Sequence, residues 1–134
     1  MNEKSGWEAL PIGLEMGPVE IVLDDDTVKS RIELVQWQNK EPVDKLGVTP
    51  PGLTIVNHAR MKFMAWPDLR VSIWAKSEHE FLKPLKVGSR VFIRGKVVDK
   101  YVKRGRNYIV SDYETVSEDG EVLMKSRETG VYVE

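Results

Sequence analysis

The C-terminal third of the chain contains three long strand-like segments separated by two turn-like segments, and this order constrains the fold more than any other feature. Apolar and polar residues alternate in "RVFIRGKVVDKYVK" (90–103), "YIVSDYETV" (108–116) and "EVLMKSRETGVYV" (121–133). The intervening "RGRN" and "SEDG" carry the Gly, Asn and Asp residues that tight turns favour. The segment therefore predicts an antiparallel meander, whose apolar face must be covered by another element.

A helix in "GLTIVNHARMKFMAW" (52–66), ended by Pro67, is predicted to cover that face. Helical spacing puts four residues on one face: Val56, Ala59, Phe63 and Trp66. Met61 and Met64 fall largely on the other face, so the helix is apolar nearly all round. Such a helix is usually enclosed by the rest of its domain.

Three further elements complete the predicted order. "GPVEIVL" (17–23) predicts a short strand, "DDDTVKSRIELVQWQ" (24–38) an amphipathic helix, and "LRVSIWAKSEHEFL" (69–82) another strand. In the amphipathic helix the apolar residues recur at spacings of four and three, as Val28, Ile32 and Val35. We therefore expect a single α+β domain over 1–134, with 1–16 as a less regular N-terminal arm.

Composition narrows the classes of function. The chain has 134 residues and a net charge of −1, with 20 Lys plus Arg against 21 Asp plus Glu, so it exerts no overall attraction on nucleic acid or an anionic membrane. Cysteine is absent, which excludes disulfides, thiolate metal sites and cysteine nucleophiles. No apolar run approaches the roughly twenty residues of a membrane helix. We expect a cytoplasmic protein without a metal, a cofactor or a membrane partner.

Two segments carry a family resemblance. The block "FLKPLKVGSRVFIRGKVVDKYVKRGRNYIVSDYETVSEDGEVLMKSRET" (81–129) and the "PPG" (50–52) before the central helix resemble the MaoC-like dehydratase/hydratase family. The similarity is closest to its N-terminal MaoC-dehydratase-type domain. It implies the hot-dog fold, an antiparallel sheet wrapped around a central hydrophobic helix. It also implies a substrate that is a coenzyme A or carrier-protein acyl thioester, and at least a dimer with another hot-dog subunit.

The family's catalytic pattern, Asp-x-Asn-Pro-x-His, can be aligned with "NKEPVD" (39–44), with Pro42 in register. Asn39 then stands at the position of the Asp and Asp44 at that of the His. An Asn side chain can orient a water molecule but cannot take its proton. Asp44 could act as a base, although its ordinary pKa suits the role less well than that of His. The resemblance thus implies an altered catalytic loop.

The resemblance also implies a thioester site at the start of the central helix. Gly52 would let backbone N–H groups approach the thioester carbonyl, and Pro51 and Leu53 would contact the substrate. Lys103, Arg104 and Arg106 lie in one predicted hairpin, where they would hold the phosphates of coenzyme A or, alternatively, protect a sheet edge.

The two histidines are predicted to lie elsewhere. His58 falls on the polar face of the central helix with Thr54 and Lys62, where we expect a hydrogen-bonded interface residue. His79, at a charged strand end, is predicted to be solvated.

Three functions follow. The first is an enoyl-CoA hydratase or 3-hydroxyacyl thioester dehydratase, or a subunit of one, with Asn39, Asp44 and Gly52 in its site. The second is a non-catalytic hot-dog subunit or acyl-binding module that pairs with a catalytic partner. The third is an oligonucleotide-binding barrel that uses the basic hairpin with Tyr101 and Tyr108. We expect no nucleic-acid partner. A long apolar helix that precedes all the long strands favours a sheet wrapped around that helix over a small barrel.

Overall fold

A computed structural model describes residues 6–34, 41–50, 52–69 and 72–133. Its helices are α1 (Gly6–Ala9), α2 (Asp25–Leu34), α3 (Glu41–Leu46) and α4 (Val56–Ala65). Its strands are β1 (Glu15–Val22), β2 (Ser72–Phe81), β3 (Arg90–Lys103), β4 (Arg106–Ser117) and β5 (Val122–Tyr132). The element order matches the prediction, except that the short helices α1 and α3 were not predicted.

The five strands form one antiparallel sheet in the order β1-β3-β4-β5-β2. The predicted meander is confirmed as β3, β4 and β5. Its first turn has positive φ at both Arg104 (53°) and Gly105 (73°), the combination of a two-residue turn that matches the strand twist. β1 and β2 form the edges, so the described sheet is open and is not the closed barrel of the third hypothesis.

α2 begins directly after Asp24, the first of three consecutive aspartates. The carboxylate of Asp24 accepts the backbone N–H of Thr27 at 2.8 Å, which caps the helix, and this bond lowers the pKa of Asp24. Val28 and Ile32 are buried, as the spacing predicts, whereas Val35 lies outside the described residues.

The apolar core lies in two clusters at the two ends of α4. One cluster joins Leu53, just before α4, to Val91 of β3 and Leu123 of β5. The other joins Trp66, just after α4, to Leu10 and Ile109. α4 therefore runs along the sheet, with its start near the beginning of β3.

The apolar stripe of α4 that helical spacing defines is mostly exposed. Of its four residues only Trp66 is buried, whereas Val56 and Phe63 are 52% and 44% exposed and Ala59 is exposed. The buried side of α4 carries Met61 and His58, with Lys62 half-buried, and Thr54 is fully buried just before the helix. Apolar residues occur on both faces, so helical spacing alone does not decide which face turns inward. On the inward face, His58 is bonded to Glu128 and Tyr113 of the sheet.

The described part of the N-terminal arm contains α1 and the beginning of β1. Met16 is already buried in β1, and Leu10 is 1% exposed in the core. The indole of Trp7 donates to the carbonyl of Tyr108 at 3.0 Å, and Lys100 donates to the carbonyls of Trp7 and Glu8. The part of the arm from residue 6 onward is therefore fastened to the sheet.

Candidate functional site

The predicted catalytic loop is described only in part. Asn39 and Pro51 lie outside the described residues. Asp44 lies on α3, exposed, and faces a cleft of about 490 Å³ that α2 lines with Val28, Lys29 and Ile32. Asp44 can therefore meet solvent or a ligand, but the described residues of this cleft include no histidine.

The start of α4 is a tight turn that requires glycine. Gly52 has a φ of +80°, a conformation that other residues rarely adopt. Within the turn, the N–H groups of Ile55, Asn57 and His58 donate to carbonyls three residues earlier, at 3.0–3.1 Å. Those three amides are thus occupied, and Thr54 is 0% exposed, so the predicted carbonyl site rests on the amides of Gly52 and Leu53.

Leu53 fixes this turn to the core. The residue is 6% exposed and packs with Leu85, Val91 and Leu123. Leu53 therefore anchors the turn, and its side chain belongs to the core.

The basic hairpin does not join this turn within one chain. Leu53 packs near Val91 at the beginning of β3, while Lys103, Arg104 and Arg106 are exposed at the far end of the β3–β4 hairpin. At about 3.3 Å per residue, β3 from Val91 to Lys103 spans about 40 Å. A coenzyme A phosphate at this hairpin would lie far from a thioester at Gly52 of the same chain.

A buried polar network, which the sequence did not predict, lies between α4 and the sheet. His58 is 0% exposed, and its Nδ1 lies 2.5 Å from Oε2 of Glu128 on β5. An imidazole N–H donates and a carboxylate oxygen accepts, so the tautomer with hydrogen on Nδ1 makes this bond to a carboxylate. The His58 ring stacks on Tyr113 with centroids 4.2 Å apart and planes 3° apart, and the Tyr113 hydroxyl donates to the His58 carbonyl at 3.2 Å.

Burial shifts the pKa values of two groups near Glu128, Tyr113 and Lys62. Burial, with Glu128 nearby, raises the pKa of Tyr113 far above its ordinary value, so its hydroxyl stays a donor. Burial also lowers the pKa of Lys62, against the opposing effect of Glu128.

His79 belongs to the rim of the same network. Its Nδ1 lies 2.7 Å from the Ser126 hydroxyl, and partial burial lowers its pKa. His79 is therefore partly buried and hydrogen-bonded, and not simply solvated as predicted. His58 is hydrogen-bonded, as predicted, but it lies against the sheet of its own chain and not at an interface.

The sequence does contain a signal for this network. Thr54, His58 and Lys62 follow one another at intervals of four on a helix that is otherwise mostly apolar. On β5, Glu128 is in phase with Met124, which is 1% exposed, so alternation places its carboxylate on the inner face. A polar stripe on an enclosed helix together with a carboxylate on an inner strand face indicates a buried pair.

Two apolar surfaces remain uncovered in the described chain. The outer face of α4 exposes Val56, Phe63 and Met64, and the edge strand β2 exposes Ile73 and Trp74, all by 44–61%. Large apolar side chains exposed to this extent are typical of protein–protein contact surfaces.

The described residues contain no group of three His, Asp or Glu side chains that could hold a metal ion. None of their helices has the length and apolar character that crossing a membrane requires.

Comparison with known proteins identifies the fold. No family model matches the sequence, and no curated protein matches it. Solved structures do match. The HadBC complex of Mycobacterium tuberculosis, a 3R-hydroxyacyl-ACP dehydratase, contains a chain that aligns with a TM-score of 0.76 at 16% identity, over 90% of this chain and 96% of that one.

Two other solved structures are similar. R-hydratase PhaJ1 from Pseudomonas aeruginosa aligns with a TM-score of 0.78 at 12% identity, over 96% of this chain and 85% of its own. A MaoC-like dehydratase from Rhodospirillum rubrum aligns with a TM-score of 0.71 at 16% identity, over 95% of this chain and 96% of its own. The chain thus has the α+β hot-dog fold of MaoC-like dehydratases and R-hydratases, which confirms the predicted resemblance at the level of fold.

Proposed function

We propose that this chain is a hot-dog subunit of an acyl-thioester hydratase/dehydratase. It would bind an enoyl or 3-hydroxyacyl thioester of coenzyme A or an acyl-carrier protein, with the carbonyl at the amides of Gly52 and Leu53. A partner subunit would supply the acid–base pair. The observation that carries this proposal is the position of the two histidines: His58 is sealed against the sheet and His79 lies on β2, so neither accompanies Asp44 on α3.

The chemistry explains why a partner is needed. Hydration of an enoyl thioester requires one group to take a proton from the water that adds to C3. A second group must deliver a proton to C2, the carbon next to the thioester carbonyl. Each such group typically contributes about 10² to 10⁴ in rate. Asp44 alone, exposed to water, provides no pair.

The uncovered surfaces support an oligomer. The outer face of α4 and the edge strand β2 expose apolar side chains, and β2 also offers unpaired backbone groups along its free edge. A second hot-dog subunit, identical or different, would cover both. That the similar HadBC chain comes from a complex is in keeping with this assignment.

The test measures binding and turnover separately on the purified chain. Calorimetric titration with a short and a long enoyl-coenzyme A should show binding, and the absorbance of the conjugated thioester should fall no faster than in buffer. Absence of thioester binding to a folded, oligomeric chain would contradict the proposal.

The second candidate function is a hydratase that works alone with Asp44 as its base, which the exposure of Asp44 in the α2–α3 cleft favours. Turnover by the chain alone that Asp44→Asn abolishes would establish it. Turnover that survives this substitution would remove Asp44 from the mechanism.

A further inference from the structure

His58 is held at four points, more than its place in a helix requires. Its Nδ1 is bonded to Glu128, its ring is stacked on Tyr113, its carbonyl accepts the Tyr113 hydroxyl, and its own N–H donates to the carbonyl of Ile55 at 3.1 Å. Two of these partners, Tyr113 and Glu128, are on the sheet, so the first turn of α4 is fixed relative to β4 and β5.

This attachment extends to the glycine turn. The carbonyl of Ile55 accepts from His58, and the N–H of Ile55 donates to the carbonyl of Gly52 at 3.0 Å. A continuous series of bonds therefore connects Glu128, through His58 and Ile55, to Gly52. Thr54, inside that turn, is 0% exposed, which limits the turn's freedom further.

We propose that Glu128 and His58 are positioning residues that hold the amides of Gly52 and Leu53 in the orientation that polarises a thioester carbonyl. The inference rests on the proposed function, because it assumes that a thioester carbonyl binds at this turn. Neither residue is a catalytic one: His58 is 0% exposed and the Glu128 side chain is 10% exposed, so substrate does not reach the shared bond. Hydrogen-bond donors polarise a carbonyl only when they are held at the correct distance and direction.

A merely structural role would predict a different result. If the pair only stabilised the fold, a folded variant without the bond would bind and polarise a thioester like the wild-type protein. If the pair orients the turn, polarisation falls even where the fold and the affinity survive. The vibrational frequency of the bound carbonyl reports polarisation directly and does not depend on turnover.

The experiment uses butanoyl-coenzyme A labelled isotopically at its carbonyl carbon. Its acyl chain is saturated, so it has no double bond that could be hydrated. Difference infrared spectra are recorded for the full chain and for Glu128→Ala, Glu128→Gln and Glu114→Ala. In the wild-type protein binding should lower the carbonyl stretching frequency. Glu128→Ala should bind the probe and lose this shift, whereas Glu128→Gln, which keeps an acceptor oxygen for Nδ1–H, should restore most of it.

Glu114→Ala is the matched control. Glu114 lies on β4 with its carboxylate on the outer face of the sheet, paired to Arg94 at 2.9 Å and partly exposed, so the wild-type shift should persist. If Glu128→Ala does not fold, His58→Phe removes the Nδ1 donor, keeps an aromatic ring for Tyr113, and should lose the shift in the same way.

The outcomes are distinct. A folded Glu128→Ala or His58→Phe variant that binds the probe with the full wild-type shift would overturn the positioning role. Binding to the wild-type protein without any shift would overturn it as well, while leaving thioester binding intact. No binding to the wild-type protein would instead contradict the proposed function.

Discussion

Replacing Glu128 with alanine should destabilise the fold far more than replacing an exposed glutamate of the same sheet. The substitution removes the acceptor of His58 Nδ1 and leaves a buried donor without a partner. Loss of one member of a buried pair typically costs about 3–5 kcal/mol. Glu114→Ala breaks an exposed pair with Arg94 instead, and such pairs contribute about 0–1 kcal/mol.

These free energies convert to melting temperatures. A chain of 134 residues has an unfolding entropy of about 0.28 kcal/mol/K, so Glu128→Ala should lower Tm by about 11–18 °C and Glu114→Ala by about 4 °C or less. Thermal unfolding followed by circular dichroism measures both variants under identical conditions. Equal Tm values for the two variants would refute the reasoning, because they would mean that the His58–Glu128 bond contributes no more than a surface pair.

Three further predictions concern other parts of the fold. Gly95→Ala places a Cβ 2.6 Å from Cδ1 of Tyr113, so overpacking of about 1–3 kcal/mol should lower the midpoint of urea unfolding; an unchanged midpoint would show that the ring moves freely. The cap bond lowers the pKa of Asp24 below its ordinary 3.8, so its stabilisation is present above that pH and is lost as the pH falls through the lower folded value. Asp24→Ala should therefore lower Tm at neutral pH and converge with wild type in strong acid, and a pH-independent difference would contradict the cap bond with Thr27. Trp74 is 53% exposed on the edge strand β2, and Trp74→Glu puts a charge there. The mass in sedimentation equilibrium should then fall to that of one chain. An unchanged oligomer would exclude this edge from the interface.

The meander was predictable because its determinants are local. Alternation with a period of two identifies a strand from within its own segment, and Arg104-Gly105 takes the positive φ values that a two-residue turn demands. The capped start of α2 is equally local, since Asp24 and Thr27 are three residues apart.

The inner face of α4 was not predictable from its own segment. Val56 and Phe63 compete with Met61 for burial, and apolar periodicity is nearly balanced between the two faces. The choice depends on His58 meeting Glu128, a residue 70 positions later in the chain. Only the register of β5 in the sheet brings that carboxylate beneath the helix.

The candidate site divides in the same way. Gly52 lies in a turn that needs its positive φ, and this part of the prediction depended on local sequence. The prediction that Lys103 and Arg104 share a site with Gly52 depended on their distance in the fold, which the sequence does not state. β3 begins near the start of α4 and ends at that hairpin, so it separates the two. The roles of Asn39 and Asp44 in catalysis stay predictions.

The most direct test of a thioester site without its own acid–base pair is to restore the pair. Asn39→Asp together with Asp44→His recreates the Asp-x-x-Pro-x-His spacing around Pro42. Hydration of an enoyl-coenzyme A by this double variant should exceed that of the wild-type chain by about 10² to 10⁴. A folded double variant that binds the thioester but hydrates it no faster than the wild-type chain would contradict the account, because the loop would then not face the bound substrate.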